Sequence, residues 1–548
     1  MSSYARQSQA SPSISLEKGA YRMRAPRRNV AESSPLRRRT NSRVVKEPPM
    51  LRYEKQMAIL VVFLICATMT SFGAAYYLFT TRWDKATPPP RTWSSDNTLG
   101  LQVIDFNSET DLPESWLSRI SSSGSDEKYL AYLPHSGFHN QRIAFENALV
   151  LSRLLNRTLL IPPVRLGNEF QYYAPFDVLQ QMLIQADKRN WRHCGIVASD
   201  DAPEGCVASL GYTHVPWDWL VDLSEVRHHQ HLLPRWNFTD EWLQDALDIG
   251  SDDMFVLADS SRDMYGFQDF ISLSDFPARK YQYMIHLSTL ALREERLIQL
   301  GTLFGSSRLH LRNLYNLNTR KSIRQSMAHL HPHLVDMASS IQQRLGSFYL
   351  GAHVRLGDGI FEENARRNSR LVWWKLVHDI LGFSIQETLA IERRFSDDEL
   401  GYLKPPADLP LEWELQTLPL DPQVHMPLAK RACKGNPHAA QDLAALNTPL
   451  FVSSDASVPE DNLYLSIFLR TFPCIFFLSD FPDITASLDT WQSSVDGLLL
   501  KPFLLPFVDA LVASRAQRVV GTEGSTYSRF VEDVLWRTYH GQDIAQKG

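Results

Sequence analysis

Three short stretches place polar and cationic side chains at the end of an apolar run: PHSGFHNQR (134–142), HVRLGDG (353–359) and GTEGSTYSR (521–529). Each combines the backbone N–H groups of a glycine turn with amide, hydroxyl or guanidinium side chains, and two open onto a predicted helix. The first N–H groups of a helix have no intrahelical partner and its N-terminus is electropositive, so such turns suit phosphate groups. One glycine turn is an ordinary strand–helix connection. Three in one chain favour a nucleoside diphosphate ligand.

Arg355 is the sharpest candidate for chemistry. It lies two residues after His353 at the end of a predicted strand, and Asp358 follows three residues later. A guanidinium here can hold a diphosphate through two parallel hydrogen bonds and stabilise the charge on a departing nucleotide. The alternative is an Arg–Asp pair that only pins the loop, and spacing alone does not separate the two interpretations.

Several other site types find no support in the sequence. There is no Asp-x-Asp motif, no phosphate-binding GxxxxGK loop and no Gly-x-Ser-x-Gly elbow. The Asp–Asp pairs occur in hydrophilic contexts, where a loop is more typical than a Mg or Mn site. The histidine cluster HHQH is more typical of a solvated loop than of a zinc site. These pairs and histidines are Asp200–Asp201, Asp252–Asp253, Asp397–Asp398, His228, His229 and His231. We therefore predict no metal site.

Predicted strands alternate with predicted helices through the body of the chain, which indicates parallel sheets. Ligands of such sheets bind beyond the carboxyl ends of the strands, where the three turns lie. We predict one α/β region at 126–345 and a second at 346–548. An insertion at about 362–447 is predicted to cover one rim of the second region, while the Trp pair of LVWWKL is expected in the core.

The N-terminal part carries a different signal. Residues 1–56 contain 13 Lys or Arg against four acidic residues, so a tail of +9 precedes a remainder of about −14 within a net charge of −5. The tail (1–55) is expected to be disordered, and the acidic remainder argues against a nucleic-acid partner. An uncharged run of 26 residues (56–81) is long enough to span a bilayer as a single helix. The basic side faces the cytosol, which predicts a type II anchor followed by a stem at 82–125.

The cysteines and sequons fit a secretory body. Four cysteines follow the anchor, so two disulfides are expected in an oxidising lumen, with Cys194–Cys206 a plausible local pair; four buried free thiols are the alternative. Asn156-Arg-Thr and Asn237-Phe-Thr are glycosylation sequons, of which Asn237 is preferred.

The three turns together resemble the signatures of the GDP-fucose protein O-fucosyltransferase superfamily, in its fungal-type or plant-type branch. GFHNQRIAFENALVLSRLLNRTLLIPP looks like its N-terminal motif, GAHVRLGD like its His-x-Arg strand end, and VDALVASRAQRVVGTEGSTYSRF like its C-terminal segment. Their order and rough spacing agree from 129 to about 536. The resemblance implies a GT-B-like pair of Rossmann-like domains facing a central cleft, and an inverting, metal-independent transfer from GDP-fucose.

The resemblance also implies roles for individual residues. Arg355 would assist the loss of GDP and, with His353, hold the nucleotide, while the remaining residues of the motifs would line the donor. Those residues are Gly137, Asn140, Gln141, Asp455, Asp509, Ser525, Thr526 and Tyr527. Where some members carry a glutamate beside the first glycine, this chain has Ser136, so His135 and His139 are the candidate bases, with a structural role as the alternative for either.

We therefore predict a type II membrane fucosyltransferase of the Golgi or ER with a lumenal catalytic body, a GDP-fucose donor, no cofactor, and a protein or glycan acceptor. A transferase that uses another GDP-sugar is one alternative. A tethered glycan- or nucleotide-binding protein without turnover is the other. Retention of Arg355 with the Asn140–Gln141 turn favours the enzyme.

Overall fold

A computed structural model describes the body of the protein. It covers residues 102–104, 106, 127–167, 173–189, 191, 194, 206, 209–270, 280–328, 330–346, 348–357, 359–396, 404–406 and 433–545. The predicted tail, the predicted anchor at 56–81, nearly all of the stem, and Asp358 lie outside the described residues. Within these described ranges, no helix is both long and apolar enough to cross a membrane.

Residues 127–346 are built around a parallel sheet of five strands with the order β6-β3-β2-β10-β7. Its strands are short and apolar, and most of their residues are buried, as expected of parallel strands covered on both faces. They are β2 (Tyr129–Ala131), β3 (Thr158–Ile161), β6 (Leu232–Pro234), β7 (Met254–Leu257) and β10 (Leu297–Leu300). The long α1 (Phe138–Leu154) crosses from β2 to β3, which confirms the strand–helix–strand unit predicted from the sequence.

Smaller sheets and further helices complete this half. An antiparallel pair joins β4 (Val164–Gly167) and β5 (Tyr212–Val215), and a parallel sheet joins β8 (Tyr265–Gln268), β9 (Tyr283–His286) and β11 (Leu309–His310). The helices are α2 (Phe176–Gln185), α3 (Trp217–Leu220), α4 (Ser224–His229), α5 (Asp240–Leu247), α6 (Leu287–Ala291), α7 (Leu314–Ser326) and α8 (Pro332–Leu345), with a 3-10 turn at Ser251–Asp253.

Residues 348–545 are built around a second parallel sheet, of four strands in the order β14-β13-β12-β16. The strands are β12 (Leu350–Val354), β13 (Leu450–Ser454), β14 (Ile475–Phe476) and β16 (Arg518–Gly521). A further parallel pair joins β1 (Gln102–Ile104) to β15 (Trp491–Ser493). The prediction of a mixed α/β protein with parallel sheets is confirmed.

The helices of this half include two π-helical stretches. They are α9 (Gly359–Glu363), α10 (Ala365–Trp374), π1 (Lys375–Ile380), α11 (Ile385–Phe395), α12 (Ser466–Thr471), α13 (Pro482–Thr485), α14 (Lys501–Ser514), α15 (Thr526–Arg529), π2 (Phe530–Trp536) and α16 (Arg537–Tyr539). Short 3-10 turns occur at Gln441–Asn447, Pro459–Asp461, Leu463–Leu465, Leu478–Asp480 and Ala486–Thr490.

The beginning of the predicted 362–447 insertion is an integral part of the fold. Helix α10 packs on β12, and Trp373 and Trp374 are buried as expected. The indole N–H of Trp374 donates to the buried carboxylate of Glu392, which also accepts two hydrogen bonds from Arg370. A crossover helix that connects neighbouring parallel strands therefore occupies the beginning of this range.

Two disulfides are present among the described cysteines. Cys194 pairs with Cys206, as predicted, and Cys433 pairs with Cys474. The exposure of the two sequons differs from what the sequence suggested: Asn156 is exposed, whereas Asn237 is half-buried and its side-chain oxygen accepts a hydrogen bond from the Thr239 N–H.

Candidate functional site

The turn after β2 is held in place by its own side chains. Ser136 adopts a positive φ of 65°, a conformation that few non-glycine residues take. Its carbonyl accepts a hydrogen bond of 2.8 Å from the Gln141 side-chain amide. The same amide donates to the Arg165 carbonyl and its oxygen accepts from the Arg165 N–H. Gln141 thus fixes the turn to β4. This structural role is additional to the contact with the donor that the sequence predicts for Gln141.

His135 is buried and is engaged on both sides of its ring. Its Nδ1 lies 2.7 Å from the Ser136 hydroxyl and its Nε2 lies 2.6 Å from the Thr302 hydroxyl. Burial, together with Arg308 and Arg262, lowers the pKa of His135 to about 3. The ring is therefore neutral at physiological pH and connects the carboxyl ends of β2 and β10.

The first turn of α1 carries two buried polar atoms without a partner in the described part of the chain. These are the side-chain oxygen of Asn140 and the Nδ1 of His139. Buried polar groups of folded proteins are nearly always hydrogen-bonded, so unpaired ones identify places where a ligand or water binds. Burial, with Arg142 and Arg529 nearby, lowers the pKa of His139 well below its usual value.

The turn after β12 is organised by Asp455, at the end of β13. Its carboxylate accepts hydrogen bonds from the Leu356 N–H at 2.7 Å and the Gly357 N–H at 3.0 Å. It also lies 3.1 Å from the Nε of Arg355, whose side chain remains 23% exposed. A loop-pinning Arg–Asp pair is therefore present, with Asp455 as the partner, and it orients the guanidinium at the carboxyl edge of the sheet.

The turn after β16 brings three hydroxyls to the same edge. The Ser525 hydroxyl caps α15 by accepting the Ser528 N–H, and the Ser528 hydroxyl lies 2.6 Å from the Nδ1 of His353. The Thr522 hydroxyl accepts the Arg355 N–H at 2.9 Å. Gly521 permits this approach, because a Cβ there would lie 2.5 Å from the Cβ of Ser528. Burial, with the charge of Arg355, lowers the pKa of His353 to about 3.

Aromatic contacts join the three turns. Phe138 packs edge-on against Phe530 with ring centroids 5.3 Å apart, and His139 lies 5.3 Å from the same Phe530 ring. On the other side, Tyr527 lies 4.8 Å from His353, and its hydroxyl donates to the Pro506 carbonyl. The start of α1, the end of β12 and the start of α15 are therefore connected through these rings and form one candidate site.

Asp509 lies beneath this site, on α14. Its carboxylate accepts a hydrogen bond from the Ser453 hydroxyl, and it acts electrostatically on Tyr527. Burial raises the pKa of Asp509 to about 7, with the Ser453 and Ser454 hydrogen bonds opposing the rise. The group is thus a buried carboxyl that keeps its proton up to near-neutral pH.

This protonation gives a testable pH dependence. Asp509 binds its proton more tightly in the folded protein, so it lowers stability progressively as the pH rises from about 4 to about 7. Asp509→Asn can still accept the Ser453 hydrogen bond but has no charge to bury. We expect the stability of D509N relative to the wild type to increase between pH 5 and pH 8, by at most about 3 kcal/mol. Thermal unfolding of both proteins at pH 5 and pH 8 measures this change. The same stability difference between D509N and the wild type at both pH values would refute the assignment.

The structure places all twelve predicted site residues at or next to this edge. His135, Gly137, His139, Asn140, Gln141, His353, Arg355, Asp455, Asp509, Ser525, Thr526 and Tyr527 all lie in the three turns or in the elements that pack against them. Residues that the sequence analysis missed are Thr302, Thr522, Ser528 and Phe530. Thr302 follows the apolar run LIQLG, so its strand–glycine pattern could have identified it. Within the described ranges, no group of three or more His, Cys, Asp or Glu is arranged to hold a metal.

A sequence match to a known protein supports the resemblance over a short part of the chain. O-fucosyltransferase 30 of Arabidopsis thaliana is 38% identical over 78 residues, a match that covers 11% of this chain and 15% of the length of that relative. No protein-family model matches the chain. Among solved structures, POFUT1 in complex with GDP is similar over 77% of this chain and 98% of that chain, with 13% identity and a TM-score of 0.34. POFUT1 in complex with GDP-fucose is similar over 77% and 97%, with 11% identity and a TM-score of 0.31.

Proposed function

We propose that this O-fucosyltransferase-like chain transfers fucose from GDP-fucose to a hydroxyl group of a protein or glycan. The observation that carries the proposal is the meeting of the three turns, through Phe138, His139 and Phe530 on one side and His353 and Tyr527 on the other. Turns at the carboxyl edges of two parallel sheets then surround one ligand. The sequence similarity to O-fucosyltransferase 30 and the GDP-fucose named with POFUT1 support the choice of donor.

In this proposal the donor diphosphate lies between Arg355 and the first turn of α1. The guanidinium and the electropositive N-terminal end of the helix offset the charge on GDP as it departs. Asp455 keeps Arg355 oriented before the donor arrives, since its carboxylate is itself fixed by two backbone N–H groups. The bond between the fucose anomeric carbon and the phosphate oxygen breaks with its electrons on GDP.

The acceptor hydroxyl attacks the opposite face of the anomeric carbon, which gives inversion. We propose that this hydroxyl donates a hydrogen bond to His139, because the Nδ1 of His139 is unpaired in the described part of the chain. His135 is the weaker candidate, since both of its ring nitrogens already contact hydroxyls. The low pKa of His139 keeps it neutral but makes it a weak base. The hydroxyl therefore loses its proton late, and most of the catalysis comes from stabilising the leaving GDP.

The wider setting is also part of the proposal: a GT-B-like arrangement, metal-independent transfer, a type II anchor at 56–81, and residence of the body in the Golgi or ER lumen. The disulfides Cys194–Cys206 and Cys433–Cys474 support an oxidising compartment. The uncharged run of 26 residues after a basic tail supports the anchor.

Turnover with defined donors tests this function. The full-length protein is incubated with GDP-fucose, GDP-mannose or GDP-glucose in the presence of EDTA, and released GDP is measured with and without candidate acceptors. We expect GDP release from GDP-fucose to exceed release from the other two. Binding of GDP without release from any donor would instead identify a non-catalytic nucleotide-binding protein, and release from another GDP-sugar would correct the donor.

The neighbours Asn140 and Gln141 give a matched pair of variants. Asn140→Ala removes an oxygen that has no partner in the described part, so we expect little change in stability but roughly tenfold weaker GDP binding. Gln141→Ala removes hydrogen bonds to Ser136 and Arg165, so we expect a loss of about 2–3 kcal/mol in unfolding free energy. Calorimetric titration with GDP measures the effect of each variant on nucleotide binding, and urea unfolding measures its effect on stability. Weaker GDP binding in Gln141→Ala and lower stability in Asn140→Ala would show that Gln141 contacts the donor and Asn140 stabilises the turn.

A further inference from the structure

A cavity of about 680 Å³ lies at the opposite end of the five-stranded sheet from the proposed donor site. It is formed by the residues that precede β2, β3 and β6 and by the last turn of α1. We call it the amino-edge cavity, and the lining residues used below are Glu127, Lys128, Arg153, Arg157, Gln230 and His231. The HHQH segment, which the proposed function leaves without a task, contributes Gln230 and His231. The cavity is large enough for a sugar unit.

Cationic groups outnumber carboxylates on the cavity wall. Lys128 and Arg157 both donate to the backbone carbonyl of Arg293, at 3.2 Å and 2.8 Å, and this neutral acceptor does not neutralise their charges. With Arg153 they provide three positive charges against the carboxylate of Glu127 on the wall. The carboxylate of Glu295, which also acts on Arg157, is paired with Arg293. The C-terminal ends of α1 and α4 reduce this positive charge, because each carries at most about −0.5 charge from the helix dipole. The balance stays positive by about one charge, which favours an anionic ligand.

Gln230 supplies a second, independent sign of a ligand. Its side chain is 8% exposed and its side-chain oxygen has no hydrogen-bond partner in the described part of the chain. Its amide nitrogen makes one long contact of 3.4 Å with the Ser152 hydroxyl. An unpaired acceptor that is this buried binds a donor, either a ligand hydroxyl or a water molecule. The wall therefore offers both cations and a hydroxyl acceptor.

We propose that the amino-edge cavity binds an anionic saccharide, a sugar that bears a carboxylate, sulfate or phosphate group. Arg153, half-buried in the last turn of α1, contacts the anionic group, and Gln230 accepts a hydrogen bond from a ring hydroxyl. The positive wall distinguishes this ligand from a neutral sugar, and the Gln230 acceptor distinguishes it from a simple anion. The site is separate from the donor site and does not depend on the proposed transfer.

Calorimetric titration of the full-length protein with glucuronic acid, glucose and inorganic sulfate tests this site. Protein from a host without N-glycosylation keeps Asn156, which also lines the cavity, unmodified. We expect glucuronic acid to bind at least tenfold more tightly than glucose or sulfate. Gln230→Ala and Arg153→Ala should each weaken it at least tenfold. Arg344→Ala, which removes an exposed arginine paired with Asp483 elsewhere, should leave it unchanged.

Each other outcome overturns the inference in an identifiable way. Absence of glucuronic acid binding, or full affinity in both Q230A and R153A, removes the site from this cavity. Equal affinity for glucose contradicts the role of the cations, and equal affinity for sulfate shows a simple anion site. GDP titrated into the same samples should bind all variants equally. Loss of GDP binding in every sample would count against the donor site instead.

Discussion

Replacing Arg355 by alanine is expected to lower the kcat of GDP release from GDP-fucose by about 10²–10³-fold. In the proposed mechanism this guanidinium stabilises negative charge that appears only as GDP leaves, so the effect falls mainly on kcat. Steady-state kinetics with GDP-fucose measure kcat and KM separately. An equal loss in GDP affinity would show that Arg355 binds the nucleotide in the ground state as well.

Two further variants make the Arg355 result interpretable. Arg355→Lys keeps the charge but loses the planar guanidinium group. We therefore expect its kcat to exceed that of R355A by at most about tenfold. Arg344→Ala removes an exposed arginine that pairs with Asp483 and serves as the matched control. If R355A turned over GDP-fucose at the wild-type rate, the Arg355–Asp455 pair would only fix the loop, and the mechanism would be wrong.

Replacing Glu146 by glutamine is expected to lower the free energy of unfolding by about 3–5 kcal/mol. Glu146 is 1% exposed on α1 and accepts hydrogen bonds from Arg324 of α7 at 2.7 and 3.0 Å. It also lies 4.0 Å from the fully buried Arg142. Glutamine keeps the shape but leaves two guanidinium groups without this countercharge. Urea unfolding measures the loss.

Asp489→Asn is the control for this pair. Asp489 is 49% exposed and lies 2.6 Å from Lys501, so solvent screens the ion pair and the expected loss is below about 1 kcal/mol. Because α1 also presents Asn140 and His139 to the site, E146Q should weaken GDP binding at temperatures where the protein is still folded. A stability loss in E146Q as small as in D489N would show that the buried arginines do not need this carboxylate.

The fold class was accessible from the sequence because parallel sheets have a clear local signal. Strands such as LLIPP and SFYLGAHV are continuous apolar runs, and the helix between β2 and β3 has apolar residues at helical spacing. The positions of the candidate site residues followed from the same pattern, since turns after parallel strands lie at one edge of the sheet. The pairing of Cys194 with Cys206 followed from their short separation.

The partners of individual side chains could not be predicted, because they depend on elements far apart in the sequence. Asp358, the partner of Arg355 that spacing suggested, lies outside the described residues, and Asp455, about a hundred residues along the chain, is a partner that the sequence did not suggest. Gln141 was expected to face the donor, yet its amide is hydrogen-bonded to the backbone of Ser136 and Arg165. Spacing along the chain carries no information on such contacts.

The structure of the protein with GDP bound tests the central claim most directly. We predict that the diphosphate lies within hydrogen-bond distance of the Arg355 guanidinium and of the first turn of α1, with the Asn140 side chain in contact with the ligand. Nucleotide bound away from these two elements, in the amino-edge cavity for example, would contradict the assignment of the three turns to the donor.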